Sequence, residues 1–302
     1  MSANNTTTTT GKGIVLIIAA AILWGTTGTS QALAPAASSP QTIGAVRLLV
    51  GGMSLVLLAL SRGGLRRQVW PAGLTLLAGF FVAAYQVCFF WGVYRTGVAI
   101  GTIVGIGSSP VFAGLLDFIF QRKKVGRRWI VSTGMALFGS SMLLLDSRDL
   151  HADGIGILLS AAAGFSYAAY ALAMKLMLPG KAAEDVTAVI FCTGALFLSP
   201  LLFTGDLHWL TIPRGWLLML HLGVLATGVA YWLFASGLKI VPVSSAVTLS
   251  LAEPMTAAVL GVLVVGERLS GTAWCGLLLI LSGLLVLALP TRVYRARIMR
   301  AD

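Results

Sequence analysis

Charge is what this sequence has least of. Only 10% of its 302 residues are Asp, Glu, Lys or Arg, and the acids number just 10, whereas about a quarter of a soluble domain is charged. Histidine and cysteine are as scarce, at three each. Cys88, Cys192 and Cys275 all stand in apolar stretches, a number and placement that suggest neither a disulfide framework nor a zinc site. The chain has no strong Asp-rich motif and no HExxH arrangement, so it lacks the clustered acids and histidines of an integral-membrane enzyme. No enzyme activity, metal or cofactor is implied. The amino-terminal MSANNTTTTT offers no basic region before a short apolar stretch and cleavage site, so the first apolar segment reads as a retained span.

What the sequence has in abundance is apolar length, with 57% hydrophobic residues. Reading apolar runs of about 17 to 25 residues predicts an all-α polytopic membrane protein with ten transmembrane helices. They fall at 13–33, 42–60, 71–93, 98–120, 128–146, 154–175, 184–204, 214–237, 242–265 and 271–290. The break at 93–98 rests on little more than Arg95 and Gly97. With the N-terminus in the cytoplasm, 16 of the 21 Lys and Arg residues fall on that side and four, Arg95, Arg148, Arg214 and Arg268, on the other. Basic loops stay inside, so both termini are expected in the cytoplasm. The net charge of +11 then answers to anionic membrane lipid and not to nucleic acid.

Shifting the chain against itself by 144 residues superposes Pro110 on Pro254, Lys124 on Arg268 and Gly139 on Gly283. The expected division is therefore 1–148 and 149–302, two five-helix repeats. An odd number of spans per repeat makes them inverted, an arrangement suited to alternating access around a central cavity. Pro110 and Pro254 remove backbone donors and are expected to kink their helices, freeing carbonyls near 106 and 250.

Glu253 lies mid-span, where a carboxylate is costly unless neutralised, hydrated or hydrogen-bonded. It has three roles open to it: satisfying bonds freed by Pro254, pairing with a cation such as Arg47, or titrating against or contacting a substrate amine. Arg47 either snorkels outward, pairs with Glu253 or meets a substrate carboxylate. Asp117 reads as a gate or salt-bridge residue. Trp24, Phe81, Tyr85, Tyr167, Tyr170, Tyr231 and Trp232, with Gln86, are candidate cavity residues that would take a flat apolar group, although each has a plain packing role open to it. His221 reads as a packing residue, and Trp209 and Trp216 as interface anchors.

The stretches AAAILWGTTG, YRTGVAIGTIVGIGSSPVFAGLLDFIFQRKKVG and VPVSSAVTLSLAEPMTAAVLGVLVVGERLSG, with Glu253–Pro254 and Gly266–Glu267 in the last, resemble the drug/metabolite transporter superfamily, particularly bacterial EamA-type members. Within it the chain looks most like the YddG group of aromatic amino acid exporters. The resemblance implies a basket-like cavity and export of a small-molecule substrate, an amino acid or related metabolite, across the inner membrane. A multidrug or other small-metabolite exporter is the alternative within this fold; a membrane enzyme or binding protein lies outside it. The chain departs from the Glu–Pro pattern at Ser109–Pro110, which leaves one central carboxylate. It also has Trp24, and no acid, in the span where small multidrug exporters carry a glutamate. The oligomeric state stays open, with a monomer compatible.

Overall fold

The computed structural model describes residues 2–32, 34, 35, 38–65, 68–122, 124–144, 153–266 and 268–289. The expected 148/149 division and Glu267 lie outside the described residues. Among those described, the regular elements are helical: α1 (Ser2–Ala32), α2 (Pro40–Ser61), α3 (Ala72–Gln121), α4 (Arg127–Leu144), α5 (Gly154–Met177), α6 (Ala183–Leu198), α7 (Pro200–Thr204), α8 (Pro213–Met219), α9 (Ala230–Leu238), α10 (Val243–Leu249), α11 (Ala252–Leu260) and α12 (Gly271–Ala288). A π-helical segment, Leu220–Val229, joins α8 to α9, and a shorter one, Gly261–Val265, follows α11. Local chemistry sets several starts. Ser39 accepts the Thr42 N–H at 3.2 Å with Pro40 just inside α2, and Ser270 accepts the Ala273 N–H at 3.2 Å to begin α12.

The expectation of ten transmembrane helices is not matched. Among the described residues eight helical stretches are long and apolar enough to cross a membrane: Thr10–Ser30, Gln41–Ser61, Ala72–Gly97, Ile100–Gln121, Gly154–Met177, Pro213–Leu238, Val243–Val264 and Gly271–Ala288. The stretches expected at 128–146 and 184–204 fall short for different reasons. Helix α4 has 18 residues but opens on Arg127 and Arg128 and carries Ser132, Thr133, Ser140 and Ser141. Helix α6 has 16 residues and stops at Ser199, where Pro200 starts the five-residue α7. The count of five spans in each half, drawn from that ten, is therefore corrected too.

The weakest break in the sequence is a real one. Gly97 adopts φ 81° and ψ 163° inside α3, a conformation that costs glycine little, and divides it into two legs. Beside it Arg95 Nε donates to the Asp153 carboxylate, which also accepts the Ile155 N–H at the start of α5. The bond from Arg95 holds the Asp153 carboxyl below the usual carboxylate range. Both legs of α3 pack on α5, while α2 lies against α6 and the long π segment, and α1 against α9 and α11.

Helix α4 runs along α12 with backbones almost touching. A Cβ on Gly139 would lie 2.6 Å from Gly276 O, and one on Gly276 would lie 2.6 Å from Gly139 O. Backbone cannot swing aside as a side chain can. Gly276→Val is accordingly expected to destabilise the protein by about 1–3 kcal/mol through overpacking, read as a lower unfolding temperature in detergent. An unchanged temperature would show that the two helices part without cost.

Candidate functional site

Four helices each send aromatic side chains to one place. Helix α1 supplies Trp24, the first leg of α3 supplies Tyr85, α5 supplies Tyr167 and Tyr170, and α9 supplies Tyr231 and Phe234. The α5 and α9 pairs are each three residues apart, the spacing that puts two side chains on one helix face. Ring centroids of Trp24 lie 4.7 Å from Tyr231, 5.3 Å from Phe234 and 6.4 Å from Tyr167. Tyr85 lies 5.9 Å from Tyr167 and 6.2 Å from Tyr170, and Phe191 of α6 closes on Tyr231 at 4.2 Å. These are edge and tilted contacts and, apart from the closer Phe191–Tyr231 pair, lie within the favourable range for aromatic pairs.

Polar atoms inside the cluster are partly paired. Tyr167 donates to Ser250 Oγ at 2.8 Å, Ser250 Oγ donates on to Val247 O at 2.7 Å, and the Tyr170 and Tyr231 hydroxyls meet at 3.2 Å. The Trp24 indole N–H is enclosed and has no partner among the described residues. A buried donor left open inside an aromatic cluster is costly unless something else accepts from it.

The two charged candidates flank these rings. Pro254 ends the run of regular bonds, so the helix breaks at Ser250–Leu251 and Glu253 N turns back to Ser250 O at 2.9 Å. The Ser250 carbonyl, which has no proline N–H to accept from, takes the Glu253 N–H in its place. Helix geometry continues through Pro110 instead, because Ser109 Oγ donates to Ile106 O at 2.6 Å and replaces the missing bond. The backbone of Glu253 lies against Gly25, the residue after Trp24 on α1. Arg47, 8% exposed, donates from Nε to Thr227 Oγ1 at 3.1 Å.

The remaining candidates go elsewhere. Phe81 turns away to Phe80 and Phe165. Gln86 lines a small apolar cavity of about 50 Å³ with Gln41, Phe90 and Leu201. Trp232 points to a polar end of the bundle, where its indole donates to Glu184 Oε2 at 3.2 Å under the Arg62 guanidinium, itself 3.2 Å from Glu184 Oε1. Asp117 is 1% exposed and forms no ion pair among the described residues. It accepts the Ser244 N–H at 2.8 Å and the Gln121 amide at 2.7 Å, beside a cavity of about 370 Å³. His221 Nε2 meets Thr26 Oγ1 at 2.8 Å. Trp209 is fully enclosed, with its indole on Asp206 O, and is not the interface anchor expected of it, whereas Trp216 is 46% exposed.

Three neighbours of the cluster were missed. Phe234 had a signal in its spacing of three from Tyr231. Phe191 and Thr227 had none, since their helices meet the site only in the folded bundle.

A helical bundle with eight stretches apolar and long enough to cross a membrane is a multi-pass membrane protein. The EamA-like transporter family matches at residues 11–145 and again at 154–289. The chain is 42% identical over 278 residues to the uncharacterized transporter YwfM of Bacillus subtilis, covering 92% of this chain and 94% of that one. It is 27% identical over 263 residues to the threonine/homoserine exporter RhtA of Escherichia coli K12, covering 85% and 84%. A crystal structure with 22% identity shares the fold at TM-score 0.78, covering 91% of this chain and 95% of the other. The chain belongs to the EamA-like transporter family, within the drug/metabolite transporter superfamily, and its relatives are named as transporters, not enzymes.

Proposed function

We propose that this protein exports amino acids, aromatic or otherwise apolar ones included, across the bacterial inner membrane by alternating access, with both termini in the cytoplasm. The observation that carries the reading is the placement of one buried guanidinium, Arg47 on α2, and one carboxylate, Glu253 on α11, on helices that pack around the buried aromatic rings. An α-amino acid brings one anion, one cation and a side chain to the same small volume. The guanidinium suits the carboxylate, Glu253 the ammonium, and the ring faces an apolar side chain. The name of RhtA supports amino acids as the class.

Alternating access needs contacts that part when the site changes side. Two such contacts join separate helices at the end rich in basic residues: Asp117 of α3 to Ser244 of α10, and Arg62 with Glu184 and Trp232. In this reading they form when that end is closed.

Counterflow in sealed proteoliposomes tests the proposal. Vesicles preloaded with L-threonine, L-homoserine or L-phenylalanine are expected to accumulate the same labelled amino acid faster than protein-free vesicles. Exchange of none of these or of the other apolar amino acids, with exchange of organic cations alone, would replace this reading with a multidrug one. Binding without exchange would make the protein a binder and not a carrier.

A further inference from the structure

We propose that Arg47 is the residue that reads the substrate carboxylate, and that Thr227 on the π-helical segment is the positioning residue that aims it. The inference rests on the amino acid reading above and assigns its specificity to two named side chains.

A guanidinium keeps its charge under all ordinary conditions, so in a membrane interior it must find acceptors. Arg47 finds one. Its Nε donates to Thr227 Oγ1, whose own single proton goes to Leu222 O at 2.7 Å, five residues back along the π segment. The hydroxyl proton is thus committed, and its lone pair faces Arg47. Both ion pairs among the described residues, Arg62 with Glu184 and Arg95 with Asp153, leave Arg47 out. Its two terminal nitrogens have no hydrogen-bond partner among the described residues, though the residue is 8% exposed. They form the two-pronged edge that matches a carboxylate in a parallel pair of bonds.

Position supports the same assignment. Arg47 is 8% exposed, and its anchor Thr227 stands four residues before Tyr231 on one continuous helical run, so the contact lies on the side of the bundle that holds the aromatic cluster. Thr227 is held against α2, because Gly51, one turn after Arg47, lies against the Thr227 side chain, and Gly223 lies against Val50. Tying down Nε through a threonine wedged between two backbones leaves only the outer edge free. A lysine in place of Arg47 would keep the charge and lose both the anchor and the fork.

The experiment compares each amino acid with its own carboxamide as competitors of labelled L-threonine or L-phenylalanine counterflow in proteoliposomes. Wild type is expected to prefer the free acid by about 10- to 100-fold, the usual worth of charged hydrogen bonds. Arg47→Gln is expected to abolish that preference, and Arg47→Lys to reduce it. Thr227→Val is expected to raise KM several-fold with kcat little changed, and Thr227→Ser, which keeps the hydroxyl, to restore it. If Arg47→Gln does not fold, Arg47→Lys decides. An undiminished acid preference in a folded Arg47 variant overturns the carboxylate assignment, and an unchanged KM in Thr227→Val overturns the positioning role. Wild type that exchanges no amino acid would overturn the underlying reading instead, an outcome visible before any variant is made.

Discussion

Glu253→Gln is expected to lower amino acid transport efficiency by about 10- to 100-fold, the scale of one charged hydrogen bond lost from a buried site. The glutamine keeps the shape of the side chain, and the turn from Glu253 N to Ser250 O uses backbone only, so the break before Pro254 should survive. What the variant takes away is the counter-charge of the substrate ammonium. Transport by wild type should vary over a pH series and that of the variant should be flat over the same range. Measured affinities, rates and pH response identical to wild type would deny Glu253 any electrostatic part. Loss of folded protein in Glu253→Ala alone would then assign it to the helix break.

The second large effect is expected at Asp117. Its carboxylate is 1% exposed and accepts the Ser244 N–H, an otherwise unpaired donor in the first turn of α10. Asp117→Ala leaves that N–H buried without a partner and removes a negative charge from a helix start, which together cost about 1–3 kcal/mol. Asp117→Asn keeps an acceptor oxygen and should recover more than half of the loss. The measurement is thermal unfolding of the purified protein in detergent for all three forms. An alanine variant as stable as wild type would mean that Ser244 finds water through the adjoining cavity. If the contact also closes this end during transport, the alanine variant should show faster exchange from that side per folded molecule.

Much of the chain could be read because apolar length and charge leave a strong linear record. The Arg95–Gly97 break, eight of the ten expected spans and the membership of Trp24, Tyr85, Tyr167, Tyr170 and Tyr231 in the interior were legible in that way. The misses share a cause. Hydropathy reports how apolar a stretch is but not where its helix stops, so Pro200 shortened α6 unnoticed. It also carries no azimuth. Tyr231 and Trp232 are neighbours in sequence, yet a step of about 100° around the helix sends one to Trp24 and the other to Glu184. Pro110 and Pro254 looked alike in sequence. They differ in the fold: at the first, the Ser109 hydroxyl donates to the Ile106 carbonyl, and at the second the Ser250 carbonyl takes the backbone N–H of Glu253 instead.

The π-helical stretch Leu220–Val229 also works as a spacer in the chain's own count of residues. Wider turns take in extra residues over the same rise, which is how such segments behave as tolerated insertions in an α-helix. Everything after Val229 is thereby rotated relative to α8, and that rotation sets Tyr231 on Trp24 and turns Trp232 outward to Glu184. Deleting a single residue between Leu220 and Gly223 would let the stretch tighten toward α-helix without shortening the span by much. With every residue kept and the stretch forced into α-helix, the two faces of α9 would instead exchange neighbours, so the identity of the aromatic cluster is encoded partly as a number of residues and not only as their kinds.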